Sequence, residues 1–221
     1  MSALPEVLVY SKAHEVAGAL DALGLTLEIV HESVREGVQP RLHCTLNDPD
    51  YLLGIIASGK ITTAFRDRVV RQPLKWQRQK VDHQERTVSP DERVAVVVAG
   101  GDADTGKDPG NPTTVSQKGK ATRQAIALNQ YSFADIDPSF SVVLMPTNDQ
   151  VWMLLYFIDE EADEVRLELS LPAYMEDDYV TGWTRRIILP SVSIDRDPDK
   201  KGKPEEDDTE AYKADLSRRA G

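Results

Sequence analysis

The feature that most constrains this chain is the apolar run Arg93 to Ala99, which has the sequence RVAVVVA. A short run of β-branched and small apolar residues between polar flanks is typical of a strand buried in a sheet. The chain has 221 residues, of which 40% are apolar, so it is long enough to build a sizeable core around such a strand. We therefore expect one medium-sized folded domain.

Short strands and helices are expected in the N-terminal portion. Three apolar segments predict strands. These are residues 6–10, 25–30 and 41–46, the last two being separated by a turn around Gly37 to Pro40. A first helix is expected after Ser11, a candidate N-cap, and Gly24 ends its apolar pattern. A second is expected at Asp48 and Pro49, with Asp48 as the cap and Pro49 at the first position, and to fray near Gly59.

The second half of the sequence predicts one helix and an antiparallel sheet. Residues 118–130 carry apolar side chains at helical spacing. Residues 165–171 alternate between apolar and polar, so one face is expected to pack inward and the other to meet water. The expected strands are residues 141–145, 151–158, 165–171 and 184–194, with an interruption at Pro190.

Together these patterns predict an α+β fold, in which a mixed α/β portion precedes a C-terminal antiparallel β-meander. We expect residues 1–194 to form a single domain. Residues 195–221 are polar and highly charged, which predicts a flexible tail.

Composition excludes several classes of protein. With Cys44 as its single cysteine, the chain cannot form an intramolecular disulfide or a multi-cysteine metal site. The formal net charge of -11 argues against a surface that binds nucleic acid over its whole area. No segment approaches the roughly 18 apolar residues of a membrane span, and the N-terminus lacks the features of a secretory signal. We therefore expect a cytoplasmic protein.

Charge is segregated along the chain. Residues 60–86 hold eight basic and three acidic residues, a net charge of +5, whereas residues 157–180 hold nine acidic residues and one basic residue, a net charge of -8. The basic segment predicts docking to an acidic partner or to nucleic acid. The alternatives are pairing with the acidic segment of the same chain, or an exposed helix face with no partner. The expected docking residues are Arg66, Arg68, Arg71, Lys75, Trp76 and Arg78, with residues 159–164 as the acidic counterpart.

A polar loop after the buried strand nearly matches a phosphate-binding loop. Residues 101–107 satisfy Gly-x4-Gly-Lys, but Asp108 stands where Ser or Thr must hold magnesium, and prolines follow where a helix must start. We therefore do not expect a working P-loop. The loop could instead hold Mg²⁺ through Asp102 and Asp104, with Lys107 and Lys118 neutralising a phosphate. The alternative is a solvated surface loop.

The remaining candidate residues favour structural roles. The four histidines show no spacing typical of a metal site, and His43 and Cys44 are expected on opposite faces of a strand. A carboxylate pair such as Asp159 with Glu168 lacks the lysine expected in a nuclease motif. Trp183 is expected to pack in the core.

These features favour a non-enzymatic binding or scaffold subunit of a cytoplasmic prokaryotic assembly, with no cofactor. No catalytic constellation satisfies its expected geometry, whereas the segregated charges suit oriented docking to a protein partner. If the basic segment meets nucleic acid, the protein would be a cofactor of a nucleic-acid-processing complex, including an antiviral defence complex. The alternative is a nucleotide- or phosphate-processing enzyme that uses residues 100–120 and Mg²⁺.

Overall fold

The fold was obtained as a computed structural model, which describes residues 7–45, 47–71, 73–134 and 150–194. Within these ranges four helices pack against one seven-stranded mixed sheet, which confirms the α+β fold class. The helices are α1 (Ala13–Ala22), α2 (Leu27–Leu42), α3 (Asp50–Val69) and α4 (Lys120–Ala134). The strands are β1 (Leu8–Tyr10), β2 (Gln77–Val81), β3 (Gln84–Val88), β4 (Val94–Gly100), β5 (Gln150–Asp159), β6 (Glu164–Glu176) and β7 (Tyr179–Ser193).

The sheet is mixed, with the strand order β1-β7-β6-β5-β4-β3-β2. Strands β5, β6 and β7 form the expected antiparallel meander. The meander is not a separate sheet, because β1 pairs in parallel with β7 and β4 pairs in parallel with β5. Strand β2 is the last strand at one end of the sheet.

One face of the sheet packs against α1, α2 and α3. Trp152 and Leu154 on β5 and Leu167 on β6 join the largest core cluster, which also contains Val34 of α2 and Ile61 of α3. All five side chains are almost completely buried. This face supplies most of the hydrophobic stabilisation of the fold.

The opposite face is covered by α4 and by the loop of residues 101–118. Met153 and Leu155 of β5 pack there with Ile126 of α4 and with Trp183, so Trp183 lies in the core as expected. Because β5 contacts a layer on each side, both sets of its alternating side chains are buried. Helix α4 and this loop also cover the polar positions of β6. Glu168 is 0% exposed, so the expectation that the polar face of β6 meets water is wrong.

The strands expected at residues 25–30 and 41–46 are absent, because helix α2 occupies most of this region. Thr26 caps the helix by accepting a hydrogen bond from the Ile29 amide at 3.2 Å. Val30, Val34 and Val38 then recur every fourth residue and are buried. This spacing is typical of one helix face. It is difficult to recognise in the sequence, because the short apolar runs at either end also suggest strands.

Gly37 lies inside α2 rather than in a turn. A Cβ atom built on it would lie 2.5 Å from the Cα of Ile61 in α3. The absence of a side chain therefore lets the two helix backbones approach closely. Pro40 lies in the last turn of α2, where it does not end the helix prematurely.

Helix α3 and the strands that follow differ from expectation in three ways. The N-cap of α3 is Pro49 rather than Asp48, and the helix continues through Gly59 to Val69. Residues 77–88 form the β2–β3 hairpin, so residues 60–86 are not a single helix face. Strand β7 continues through Pro190, and the expected interruption is limited to a register shift in its pairing with β6 between Leu189 and Val192.

The strand expected at residues 141–145 and the tail expected at residues 195–221 lie outside the described residues. Helix α4 begins two residues later than expected. In the ranges that the structure covers, no helix has both the length and the apolar character needed to cross a membrane.

Candidate functional site

A groove opens where β3 turns away from β4. The two strands pair only at Thr87 with Val96 and at Val88 with Ala95. In the described part of the chain, no strand pairs with this side of β4 between Val97 and Gly100. The gap has a volume of about 560 Å³, which is within the usual range of small-molecule sites.

Three structural elements supply the walls of the groove, and their side chains are mostly polar. Helix α3 forms one wall, the start of α4 forms the opposite wall, and the β2–β3 turn closes one end. Hydroxyl and charged groups are supplied by Ser58, Thr62, Thr63, Arg66, Asp82, Glu85, Lys118 and Thr122. Gly59 and Gly119 leave open space, because a Cβ atom on either would meet nothing within 4 Å.

Lys118 is the cation at the α4 side of the groove. Its Nζ donates a hydrogen bond to the Ser116 hydroxyl at 2.6 Å, and its backbone amide donates to the Asp178 carbonyl at 2.7 Å. Among the residues described, no carboxylate lies within 4.0 Å of this amine. Burial without a counter-charge lowers the pKa of Lys118 from 10.5 to about 8.

Arg66 is the cation at the α3 side. Its Nε donates to Thr87 Oγ1 at 3.1 Å, and its Nη2 donates to the Arg86 carbonyl at 2.8 Å and to Glu85 at 3.1 Å. The hydrogen bond from Arg66 holds the pKa of Glu85 below its usual value. These contacts fix the guanidinium group against β3.

Hydrogen bonds from β3 to α4 form the base of the groove. Gln84 donates to the Thr122 hydroxyl at 2.9 Å, and Arg86 donates to the Ala121 carbonyl at 3.3 Å. Arg86 is held in turn by the Gln84 side chain at 2.7 Å. The start of α4 is therefore fixed to the hairpin by side chains, although β3 and β4 have already separated.

The predicted ligand loop is built differently from the expectation. Asp102 accepts hydrogen bonds from the Thr113 amide at 3.1 Å and from its hydroxyl at 2.8 Å, and Asp104 accepts one from the Asn111 amide at 3.3 Å. Both carboxylates therefore brace the loop itself. Among the described residues there is no group of three His, Cys, Asp or Glu side chains placed to hold a metal ion.

Of the four predicted loop residues, only Lys118 lines the groove. Lys107 is exposed, and its backbone carbonyl accepts a hydrogen bond from Arg186 at 3.2 Å. Asp102, Asp104 and Lys107 are not among the residues that line the groove. The groove wall therefore contains one of the four groups that the Mg²⁺-phosphate hypothesis requires.

A buried ion pair beneath this loop was missed by the sequence reasoning. Arg186 on β7 binds Glu168 on β6, and Glu168 also accepts hydrogen bonds from the Gly106 amide at 2.9 Å and the Ser170 hydroxyl at 2.6 Å. Asp159, which the sequence offers as a candidate carboxylate partner of Glu168, instead pairs with Arg166 at 3.1 Å. The carboxylate pair is therefore not formed.

The six predicted docking residues fall into two groups. Trp76 is buried edge-on against Phe65, with ring centroids 6.1 Å apart. Arg66 is bound in the groove wall, and Arg68 donates to Glu36 and to the Ala64 carbonyl. The three that remain exposed are Arg71, Lys75 and Arg78.

Two other expected groups have local structural contacts. His43 is the C-cap of α2 and Cys44 follows it, with its thiol 3.8 Å from the Pro40 carbonyl, so these residues do not lie on a strand. The acidic counterpart, residues 159–164, forms the β5–β6 turn as expected. Glu160 in this turn pairs with Arg41 of α2 at 2.9 Å.

Comparison with known proteins gives no relative. No protein-family model, no curated protein and no solved structure matches this chain.

Proposed function

We propose that this protein is a non-enzymatic binding subunit that docks an acidic protein partner through Arg71, Lys75 and Arg78, which we call the basic edge. One observation carries the proposal. These three cations are exposed at one end of the sheet, and among the described residues no carboxylate lies within 4.0 Å of any of them. Their charges are thus available to a partner.

The basic edge borders a strand whose outer side pairs with no other strand of the described ranges. Strand β2 is last in the sheet order, and residues 77–80 are all exposed. A terminal strand presents unpaired backbone donors and acceptors, to which an extended segment of another protein can add. The partner segment would then gain backbone hydrogen bonds from β2 and charge neutralisation from the three cations.

Arg78 lies on the side of the sheet on which α3 packs. Arg78 is directly opposite Thr87 in the hairpin, and the Thr87 hydroxyl binds Arg66 of α3. Residues directly opposite in an antiparallel pair project from the same face. Arg71 and Lys75 occupy the connection between the end of α3 and β2.

The buried Trp76 holds this connection in place. Its backbone amide donates to the Val69 carbonyl at 2.9 Å, and the Lys75 amide donates to the Arg71 carbonyl at 3.2 Å. The Trp76 ring is 3% exposed. The backbone of Lys75 and Trp76 is therefore already fixed, which lowers the entropic cost of association at these residues.

An acidic protein segment suits this surface better than a long polyanion. The chain as a whole carries a net charge of -11, so a partner that extends over the surface meets repulsion beyond the basic edge. A short acidic segment contacts only the three cations and the β2 backbone. Repulsion elsewhere then orients the partner.

The proposal is tested by charge reversal with a matched control. A photo-crosslinkable amino acid at Gln79 on β2 identifies the protein that contacts this edge in the source cells. That partner is purified, and its affinity is measured for the wild type and for the triple variant R71E/K75E/R78E. We expect a loss of at least about tenfold, because three favourable charge contacts become repulsive.

The control is the triple variant K60E/K107E/K120E, which changes the net charge by the same amount at exposed residues on α3, on the loop and on α4. Its affinity should change less than about threefold, since it alters only long-range repulsion. Equal losses in the two variants would refute docking at the basic edge. Recovery of nucleic acid instead of an acidic protein would refute the choice of partner.

A further inference from the structure

We infer that the groove between α3 and the start of α4 binds a phosphorylated small molecule that carries hydroxyl groups, with the phosphate next to Lys118. The groove is separate from the basic edge, and the inference does not rest on the proposed docking. It is drawn from the cavity and from the polar groups that line it.

The position of the phosphate follows from the charges. Lys118 lines the groove as a half-buried amine whose hydrogen-bond partner is the neutral Ser116 hydroxyl. A partly desolvated cation is stabilised by an anion that enters the same site. The opposite end is less suitable, because Asp82 and Glu85 lie there and would repel a phosphate. The lowered pKa of Lys118 is consistent with an amine that lacks a counter-ion.

The start of α4 adds donors at the same end. Gly119 precedes the first helical residue, Lys120, and accepts a hydrogen bond from the Arg123 amide at 3.4 Å. Because Gly119 has no side chain, it cannot cap the first amides of the helix as Ser, Thr or Asp would. Phosphate oxygens bind well to such amides when a cation lies beside them.

The α3 wall is arranged to accept hydrogen bonds from a ligand. The hydroxyls of Ser58, Thr62 and Thr63 donate to backbone carbonyls of their own helix, at 2.9, 2.7 and 3.0 Å. Each hydroxyl oxygen therefore retains lone pairs for an incoming donor. Sugar or polyol hydroxyls are such donors, which favours a phosphorylated polyol or nucleoside over inorganic phosphate.

Arg66 supplies a second, rigid cation. Its Nε and Nη2 are engaged by β3, whereas within the described residues its Nη1 has no hydrogen-bond acceptor. A fixed guanidinium group with a free nitrogen can bind a ligand oxygen at little entropic cost. The cavity of about 560 Å³ is large enough for a nucleoside monophosphate.

The test is isothermal titration calorimetry with ribose 5-phosphate, AMP and glycerol 3-phosphate, each compared with its unphosphorylated form. We expect saturable binding of at least one phosphorylated probe. Its affinity should fall at least about tenfold in K118Q and stay within about twofold in K107Q. Lys107 is the matched control, because it is an exposed lysine of the same loop that does not line the groove.

A second pair of variants tests the cavity without changing charge. G59L places a side chain into the open space of the groove, and G54L places one into open space on α3 outside it. Binding should be lost in G59L and retained in G54L. The inference is overturned if no phosphorylated probe binds, if K118Q and K107Q behave alike, or if G59L binds as well as G54L.

Discussion

Arg186 on β7 reaches across to Glu168 on β6 and donates hydrogen bonds to both of its carboxylate oxygens. The side chains are 3% and 0% exposed, so the pair lies in the interior. Arg186 also donates to the carbonyls of Lys107 and Gly110, and Glu168 accepts from the Gly106 amide. The pair therefore binds the loop of residues 101–118 to the sheet and fixes the side of the loop that faces the sheet.

The first prediction concerns the charge of this pair. Substitution of Glu168 by glutamine leaves the Arg186 guanidinium buried without a counter-charge. We expect E168Q to lower the free energy of unfolding by about 3–5 kcal/mol, as is typical when one partner of a buried pair is removed. Urea unfolding followed by circular dichroism measures the change.

A surface pair provides the control for E168Q. Glu160 pairs with Arg41 but is 57% exposed, so E160Q should cost less than about 1 kcal/mol. The double variant E168L/R186M removes both charges and should recover part of the loss. If E168Q is no more destabilising than E160Q, the buried pair does not stabilise the fold as described.

The second prediction concerns the contact between α2 and α3. In G37A the new methyl group would lie 2.5 Å from the Ile61 Cα, so the two helices must move apart. We expect a loss of about 1–3 kcal/mol in the free energy of unfolding, as for other overpacked cores. In G54A the methyl group meets nothing within 4 Å, and the gain in helix propensity should stabilise the protein by about 0.5–1 kcal/mol. A lower free energy of unfolding in G37A together with a higher one in G54A would support the close approach of the two helices. Similar losses of stability in both variants would contradict it.

The elements with a strong period were predictable from the sequence, and α2 shows why others were not. Strand β4 and the β5–β7 meander carry continuous or alternating apolar patterns that have one interpretation. Helix α2 begins and ends with short apolar runs that are equally typical of strands, and Gly37 between them is a frequent turn residue. The actual role of Gly37 is to let Ile61 of α3 approach closely. This role depends on a helix elsewhere in the chain.

The β2–β3 hairpin lacked a usual turn signal. Its two turn residues, Asp82 and His83, have positive φ angles of 44° and 66°, a conformation usually associated with Asn-Gly or Asp-Gly. Strong basic composition in the same segment favoured a surface interpretation. The exposed cations Arg71, Lys75 and Arg78 agree with that part of the prediction, because their positions carry no apolar pattern that would bury them.

The groove could not be predicted, because it forms where the pairing of β3 with β4 ends. The sequence identifies Lys118 only as a cation near a polar loop and Arg66 only as a member of the basic segment. Their meeting in one groove depends on the separation of β3 from β4 after two residue pairs, which no local pattern encodes. Likewise, Glu168 follows the alternation of a half-exposed strand, and only the loop above it makes the site buried.

The third prediction concerns acid sensitivity at His31. Burial lowers the pKa of His31 below its usual 6.5, and this effect outweighs the opposing effect of the hydrogen bond that His31 Nε2 donates to the Pro190 carbonyl at 2.9 Å. As the pH falls through 6.5 the unfolded chain takes up the proton first, so stability decreases until the folded protein also becomes protonated. The variant H31Q should therefore lose less stability than the wild type between about pH 7 and pH 5.

Exposed His14 is the control for this measurement, and H14Q should keep the pH dependence of the wild type. Urea unfolding at several pH values provides the slopes. An unchanged slope in H31Q would show that other groups cause the acid sensitivity.

The fourth prediction is that K118Q stabilises the folded protein near neutral pH. Burial lowers the pKa of Lys118 from 10.5 to about 8, whereas the unfolded chain keeps its proton to higher pH. The cost of the buried charge is therefore complete below about pH 8 and disappears as the pH rises towards 10.5. After allowance for the exposed part of the side chain, K118Q should raise the free energy of unfolding by about 1–2 kcal/mol at about pH 7. The gain should shrink at about pH 10, and K107Q should show neither effect. Loss of stability in K118Q at neutral pH would mean that the charge of the amine is already neutralised in the folded protein, which would contradict the prediction. A gain in stability is the behaviour of a residue that is retained for a ligand rather than for stability.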